Sequence, residues 1–253
     1  MRKPLVVGNW KMNTLREEAS TLARSLVESL SSARQVEVVV APPFPWLTDV
    51  AAILHGSPLR LAAQNMHTEV GGAYTGEVSP RMLRGLCEYV LVGQYERRIL
   101  FGDKEAIVRR KLHSAQEQGL TPILCVGEDA DQLDEGLGLV VVAEQVEADL
   151  DGARIDDKLV IAYEPSWTTM GRVAPPPVSY VVDVVGHIRD TLTMLYSQDV
   201  ADQTRVIYGG QVNPRNIEEI AAQAQAGIDG VLASTASTNA PNFTTLVKAF
   251  APQ

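Results

Sequence analysis

Eight short, almost continuously apolar runs recur along this chain: LVVGN (5–9), VEVVVAP (36–42), LRLAAQN (59–65), YVLVGQ (89–94), PILCVGE (122–128), LVIAYEP (159–165), RVIYGG (205–210) and GVLAS (230–234). Few folds can use such a set. The runs do not alternate apolar with polar, so the strands they predict leave neither face to water. That pattern belongs to parallel strands covered by helices. Segments with helical periodicity lie between them, among them Leu15–Leu30, Lys104–Gly119, Leu139–Leu150, Val178–Tyr196 and Pro214–Gln225. Ser79-Pro80 and Asn213-Pro214 place a proline at about the first helical position, where the N–H it lacks would have had no partner anyway. No linker, low-complexity tract or charge block interrupts the repeat. The expectation is an α/β chain forming a single-domain (β/α)8 barrel over residues 1–253. A doubly wound open sheet is the alternative. It would prefer fewer strands and a GxGxxG after the first one, where this chain has GNWKMN.

Charge and cysteine content narrow the classes of function. A formal net charge of −9 speaks against nucleic acid and anionic membrane as partners, although a local basic pocket could still take a phosphorylated metabolite. Cys87 and Cys125 are too few for a disulfide framework and are not spaced as CxxC. Cys87 lies in an apolar, helix-like stretch and Cys125 in an apolar strand, so both are expected to be buried, reduced thiols. MRKPLVVGNW lacks an apolar run of signal-peptide length, and nothing approaches the roughly 20 apolar residues that span a bilayer. The expected location is the cytoplasm.

In a barrel all strands point the same way, so their C-terminal ends surround one pocket. Those ends carry Asn9–Lys11, Gln64–Asn65, Gln94–Glu96, Gly127–Glu128, Glu164, Gly209–Gln211 and Ser234–Thr235. Lys11 offers a fixed cation for a phosphate or a developing oxyanion; the plainer reading is a solvated loop lysine. Glu164, followed by a rigidifying proline and flanked by Trp167, is a carboxylate that partial desolvation could turn into a base; the plainer reading is a rim carboxylate in a cap or ion pair. YGGQVNP (208–214) joins two glycines to an expected helix start after the seventh strand, a frequent anion location in barrels. The four histidines, His55, His67, His113 and His187, are scattered. No metal or cofactor is called for.

Taken together, VVGNWKMN (6–13), AQNMHTEVGGAYTGEVSPRML (63–83), GQYERR (93–98), PILCVGE (122–128), AYEPSW (162–167), YGGQVNPRN (208–216) and GIDGVLASTAS (227–237) resemble the triosephosphate isomerase family, in its order and spacing and almost end to end. The resemblance implies a sugar-phosphate isomerase without cofactor or metal. Glu164 would move the proton, Lys11 would act electrostatically and Asn9 would support the site, with Glu96 matching the glutamate of the family's G-H-S-E-R-R. It also implies a homodimer through the 71–79 loop, with Thr75 near the tip. The mechanistic template, two groups tuned by their surroundings, is the family's own.

The departures from that pattern are specific. Gln94 and Tyr95 stand where the family has its catalytic histidine and a serine. The loop after Glu164 reads PSWTTMGR (165–172), one residue shorter and without the paired glycines, which leaves Gly171 as its candidate phosphate contact. The serine of Y-G-G-S is Gln211, after Gly210, and the paired glycines beyond the eighth strand are Ser234 and Thr235. An amide can donate a hydrogen bond to a substrate carbonyl but cannot relay a proton near neutral pH. One lost relay group costs about 10²–10⁴-fold. Strand alternation would turn Tyr95 away from a pocket that Gln94 faces. The expected substrate is glyceraldehyde 3-phosphate, dihydroxyacetone phosphate or a related tetrulose phosphate. A catalytically weak or inactive homologue that binds a metabolite or partner is the alternative.

Overall fold

The computed structural model describes residues 2–155, 158–169 and 174–251. Eight strands form a closed barrel: β1 (Leu5–Asn9), β2 (Glu37–Ala41), β3 (Leu59–Ala63), β4 (Tyr89–Val92), β5 (Thr121–Val126), β6 (Val160–Tyr163), β7 (Arg205–Tyr208) and β8 (Gly230–Ala233). Each pairs in parallel with the next, and β8 closes on β1 with Leu5 opposite Gly230. All eight expected strands are present. Most of the expected runs extend beyond their strands at the C-terminal end, where the last residues leave the ladder and enter the loops.

The helices are α1 (Arg16–Ser29), α2 (Leu47–Leu54), α3 (Pro80–Leu83), α4 (Tyr95–Leu100), α5 (Glu105–Glu117), α6 (Ala130–Asp134), α7 (Gly138–Leu150), α8 (Ser166–Thr169), α9 (Val178–Leu195), α10 (Gln198–Gln203), α11 (Ile217–Ala221) and α12 (Ala240–Ala249). The reason they cover the barrel is visible in α9, which buries Val181, Val184, Val185, Ile188 and Leu192. That spacing is one face of a 3.6-residue helix, and each fully buried side chain contributes about 1.5–3 kcal/mol. Ser79 caps α3, its hydroxyl accepting the Met82 N–H, with Pro80 in the first turn as expected.

The helix expected to open at Pro214 becomes regular only three residues later, after a capped turn. Asn216 Oδ1 accepts the Asn213 N–H and Asn213 Oδ1 accepts the Arg215 N–H, both at 2.9 Å. These bonds cap a turn at Pro214: the Ile217 N–H donates to the Asn213 carbonyl at 3.2 Å, and the regular helix α11 follows from Ile217. Cys87 also departs from expectation: it follows α3 and forms a bridge with Arg84 rather than lying in a helix. Both cysteines are free and buried. Among the described residues no helix is long and apolar enough to cross a membrane.

Two apolar layers result. Leu5, Val7, Val39, Leu91, Ile123, Cys125, Ala162, Ile207 and Leu232 fill the barrel interior. The alternate residues of the same strands, such as Val6, Val38, Val90 and Ile161, face the helices. At the floor, the Tyr89 hydroxyl donates to Glu37 at 2.6 Å and Arg205 pairs with Glu37 at 2.7 Å. The floor is thus closed by polar side chains that satisfy one another, and only the other end is open to carry chemistry.

Candidate active site

Side chains alternate along a strand, so the inward rows can be continued upward by counting in twos. Val7 leads to Asn9, Cys125 to Gly127, Ala162 to Glu164, Ile207 to Gly209 and Leu232 to Ser234. The residues at the barrel mouth are therefore the next members of rows whose lower members are packed core. Burial follows: Asn9, Gln94 and Glu164 are 3%, 4% and 4% exposed.

Burying three polar side chains is costly unless they bond to one another. Here they do. Asn9 Nδ2 donates to Gln94 Oε1 at 3.2 Å. Gln94 Nε2 donates to Glu164 Oε1 and to Cys125 Sγ, each at 3.1 Å. Glu164 Oε2 is buried without a hydrogen-bond partner. Burial lifts the Glu164 carboxyl from its ordinary 4.5 to about 7; Lys11 opposes the rise, Glu96 adds to it, and the Cys125 and Gln94 hydrogen bonds oppose it. The Cys125 thiol is held well above its usual range, by burial first and then by the neighbouring Glu164. The site thus holds a carboxyl poised near neutrality beside a thiol that stays protonated.

Lys11 sits in the left-handed region at φ 51°, uncommon for a residue with a side chain. Two contacts hold it there: the Lys11 N–H donates to Asn9 Oδ1 at 3.0 Å, and Gln64 Nε2 donates to the Lys11 carbonyl at 2.9 Å. Its ammonium pairs with the Glu96 carboxylate. The cation is therefore aimed by backbone contacts, independently of the charge it carries.

The two glycines after β7 allow close packing. A Cβ on Gly209 would lie 2.6 Å from Glu164 Cγ, and one on Gly210 would lie 2.0 Å from the Tyr208 hydroxyl. Gln211 Nε2 donates to the Thr168 carbonyl at 2.9 Å, joining the loop after β7 to the segment after Glu164. Ser234 is half-buried and Thr235 exposed. They open the short turn Thr235–Thr238, and their hydrogen bonds stay within it. Thr75 is exposed on its loop, apart from this cluster. Gly171 lies outside the described residues.

The Trp167 indole N–H donates to Glu128 Oε1 at 3.0 Å, and the Tyr163 and Tyr180 hydroxyls donate to the same oxygen at 2.9 and 3.3 Å. Glu128 is fully buried, so its carboxylate draws the nearby donors. Strand alternation does not govern Tyr95, because β4 ends at Val92 and Tyr95 is the first residue of α4. It borders, with Arg98, Cys125, Gly127 and Glu164, a cavity of about 10 Å³, room for about one water and no organic ligand.

Sequence alone puts Gln64 and Glu128 at the barrel mouth and Cys125 among the buried thiols, but gives none of them its partners in the site. For Cys125 the signal was present: it stands opposite Ala162 in register, one inward step below Glu164. The others join residues far apart in the chain and left no local trace. Among the described residues no group of three or more His, Cys, Asp or Glu side chains could hold a metal ion.

Comparison with known proteins agrees with this geometry. Residues 4–250 match the family described as Triosephosphate isomerase. A protein of that name from Carboxydothermus hydrogenoformans is 42% identical over 252 residues, covering 98% of this chain and 99% of its own. One from Chloroflexus aurantiacus is 44% identical over 251 residues, covering 98% and 99%. One from Dehalococcoides mccartyi is 38% identical over 248 residues, covering 98% and 96%.

Proposed function

The chain belongs to the triosephosphate isomerase family, and on that premise we propose that it interconverts the aldose and ketose forms of a small phosphorylated sugar in the cytoplasm. Glyceraldehyde 3-phosphate and dihydroxyacetone phosphate are the first candidates, a tetrulose phosphate the next. The observation that carries the proposal is Glu164: a buried carboxyl with one oxygen unpartnered and its affinity for protons lifted to about 7. A base works best when its pKa lies near the working pH. Glu164 takes the proton from the carbon next to the carbonyl. The electrons of that C–H bond form the enediolate, and the carbonyl oxygen becomes anionic beside the Lys11 ammonium. Returning the proton to the neighbouring carbon completes the isomerisation. Before that return the hydroxyl proton must change oxygens, and with no histidine at position 94 Glu164 makes the exchange: it gives its proton to the anionic oxygen and takes up the proton of the neighbouring hydroxyl, which it then delivers to carbon. The hydroxyls of Ser234 and Thr235, with Gly171, Gly210 and Gln211, are the proposed phosphate grip.

Proton NMR in D₂O, with the purified protein and a panel of triose and tetrulose phosphates, tests this directly. Deuterium entering the carbon beside a carbonyl is the expected result and names the preferred substrate. Ligand binding without any exchange, in a folded protein, would instead support the inactive homologue.

The glycine at 209 offers a sharper geometric check. Gly209→Ala places a methyl 2.6 Å from Glu164 Cγ, so the carboxylate must move. A displacement of about 1 Å costs on the order of 10²-fold in kcat, with circular dichroism unchanged. Activity within twofold of the parent would show that Glu164 is not held where the reaction needs it.

A homodimer through the 71–79 loop is also proposed. Thr75 lies exposed on that loop, and Met12, Leu15, Val70, Tyr74, Met82, Ile99, Leu100 and Phe101 are exposed large apolar side chains around the segments that follow β1, β3 and β4. Such a concentration of apolar surface favours a protein partner. Sedimentation equilibrium should give twice the 27.4 kDa chain mass, and Thr75→Arg should shift the protein toward monomer. A monomeric parent protein at micromolar concentration would overturn the proposal.

A further inference from the structure

The buried amides at the barrel mouth form a chain with one direction. The Lys11 N–H donates to Asn9 Oδ1, Asn9 Nδ2 donates to Gln94 Oε1, and Gln94 Nε2 donates to Glu164 Oε1. A primary amide has two N–H donors and one carbonyl. Both Gln94 donors face acceptors, Glu164 and Cys125, while its carbonyl faces the Asn9 N–H₂. Turning the Gln94 amide over would set its carbonyl against the Glu164 carboxylate and its N–H₂ against that of Asn9. Turning Asn9 over would lose the Lys11 N–H. The polarity therefore propagates from a backbone donor, whose direction cannot be reversed, to the carboxylate.

We propose that Gln94 is a positioning residue for Glu164: it anchors carboxylate oxygen Oε1, leaves Oε2 to take the substrate proton, and leaves Lys11 as the principal group facing the developing oxyanion. This replaces the expectation that Gln94 donates to the substrate carbonyl, and it rests on the reading of Glu164 as the base. A substrate would have to take a Gln94 hydrogen from Glu164 or from Cys125, and both acceptors are already buried with it. Nothing in the arrangement needs position 94 to exchange protons, which an amide does not do near neutral pH.

The proposal has a consequence that a group touching only the substrate would not share. A donor to a carboxylate favours its charged form, so removing that donor raises the pH at which Glu164 ionises. Besides Gln94, the groups that act on the Glu164 titration are Lys11 after β1, Glu96 on α4 and Cys125 on β5; Tyr95 and Arg98 on α4 line the cavity beside it. Gln94→Met removes the donor while changing none of these. Gln94→Asn keeps an amide but withdraws it by one carbon.

The test is a ¹³C NMR titration of the Glu164 side-chain carboxyl in the whole protein, assigned by its loss in Glu164→Gln, together with the pH profile of kcat/KM. In Gln94→Met the titration should move upward by about one pH unit, roughly a tenfold loss of ionised base at pH 6. The acid limb of kcat/KM should move with it, and kcat should fall while KM holds. Gln94→Asn should shift in the same direction, which guards against a Met variant that folds poorly. An unmoved Glu164 titration in a folded variant overturns the proposal, as does a fall in kcat/KM with no change in its acid limb. The two readings fail separately. An upward shift in a protein without turnover retires the isomerase and keeps the positioning role. A live isomerase with an unmoved titration does the reverse.

Discussion

Glu164→Gln is expected to abolish deuterium exchange at the substrate carbon, lowering kcat by at least about 10³-fold. General-base catalysis by a positioned side chain contributes typically about 10²–10⁴-fold, and here the same group must also carry the hydroxyl proton. The variant should fold, because a glutamine can accept the Gln94 hydrogen bond through its amide oxygen. It should also be more stable than the parent at alkaline pH. The folded protein holds the Glu164 proton up to about pH 7, whereas an ordinary carboxyl releases it near 4.5. Between those values the folded state binds more protons than the unfolded one, so stability falls as pH rises, and above the folded value the full penalty is present. That lift corresponds to on the order of 3 kcal/mol. Thermal unfolding of Glu164→Gln at pH 8 should accordingly occur several degrees higher than in the parent, and the gap should close toward pH 4.5. Full exchange in this variant would remove Glu164 from the mechanism. A lower Tm at pH 8 would mean that its carboxylate is not held at a cost.

Lys11→Met carries the second largest effect. A fixed positive group aimed at developing charge is worth about 10²–10³-fold in kcat, and Lys11 is the cation beside Glu164. Its backbone should survive the substitution, because Asn9 Oδ1 and Gln64 Nε2 hold the main chain at position 11 without using the side chain. Two readouts then separate charge from packing. Activity should drop by that factor, and the acid limb of kcat/KM should rise above about 7, because Lys11 at present lowers the Glu164 pKa. A drop in activity with an unmoved limb would place the ammonium too far from Glu164 to matter to it.

Two side-chain bonding patterns show which features are local and which are not. Pro214 follows the ordinary rule for a helix start, with the Asn213 and Asn216 side chains capping the turn that leads into α11. Trp167 is near Glu164 in sequence, but its indole N–H has a distant partner. The structure gives it Glu128, 39 residues away. The cap is local and follows the spacing of its residues; the Trp167 bond is long-range, and such bonds follow no period.

What the sequence by itself determined is the barrel, the order of its strands and the set of residues at its open end. Those follow from local rules: continuous apolar runs for covered strands, alternation along each strand, and one shared direction. Only the tertiary structure decided how the mouth is wired. Gln94 reaches Asn9 across 85 positions, Cys125 across 31 and Glu164 across 70. No periodicity in a chain specifies which oxygen of a buried carboxylate will be held and which left bare. That follows from the requirement that polar atoms shut away from water find partners in one another, a requirement the strands meet only once the barrel has closed.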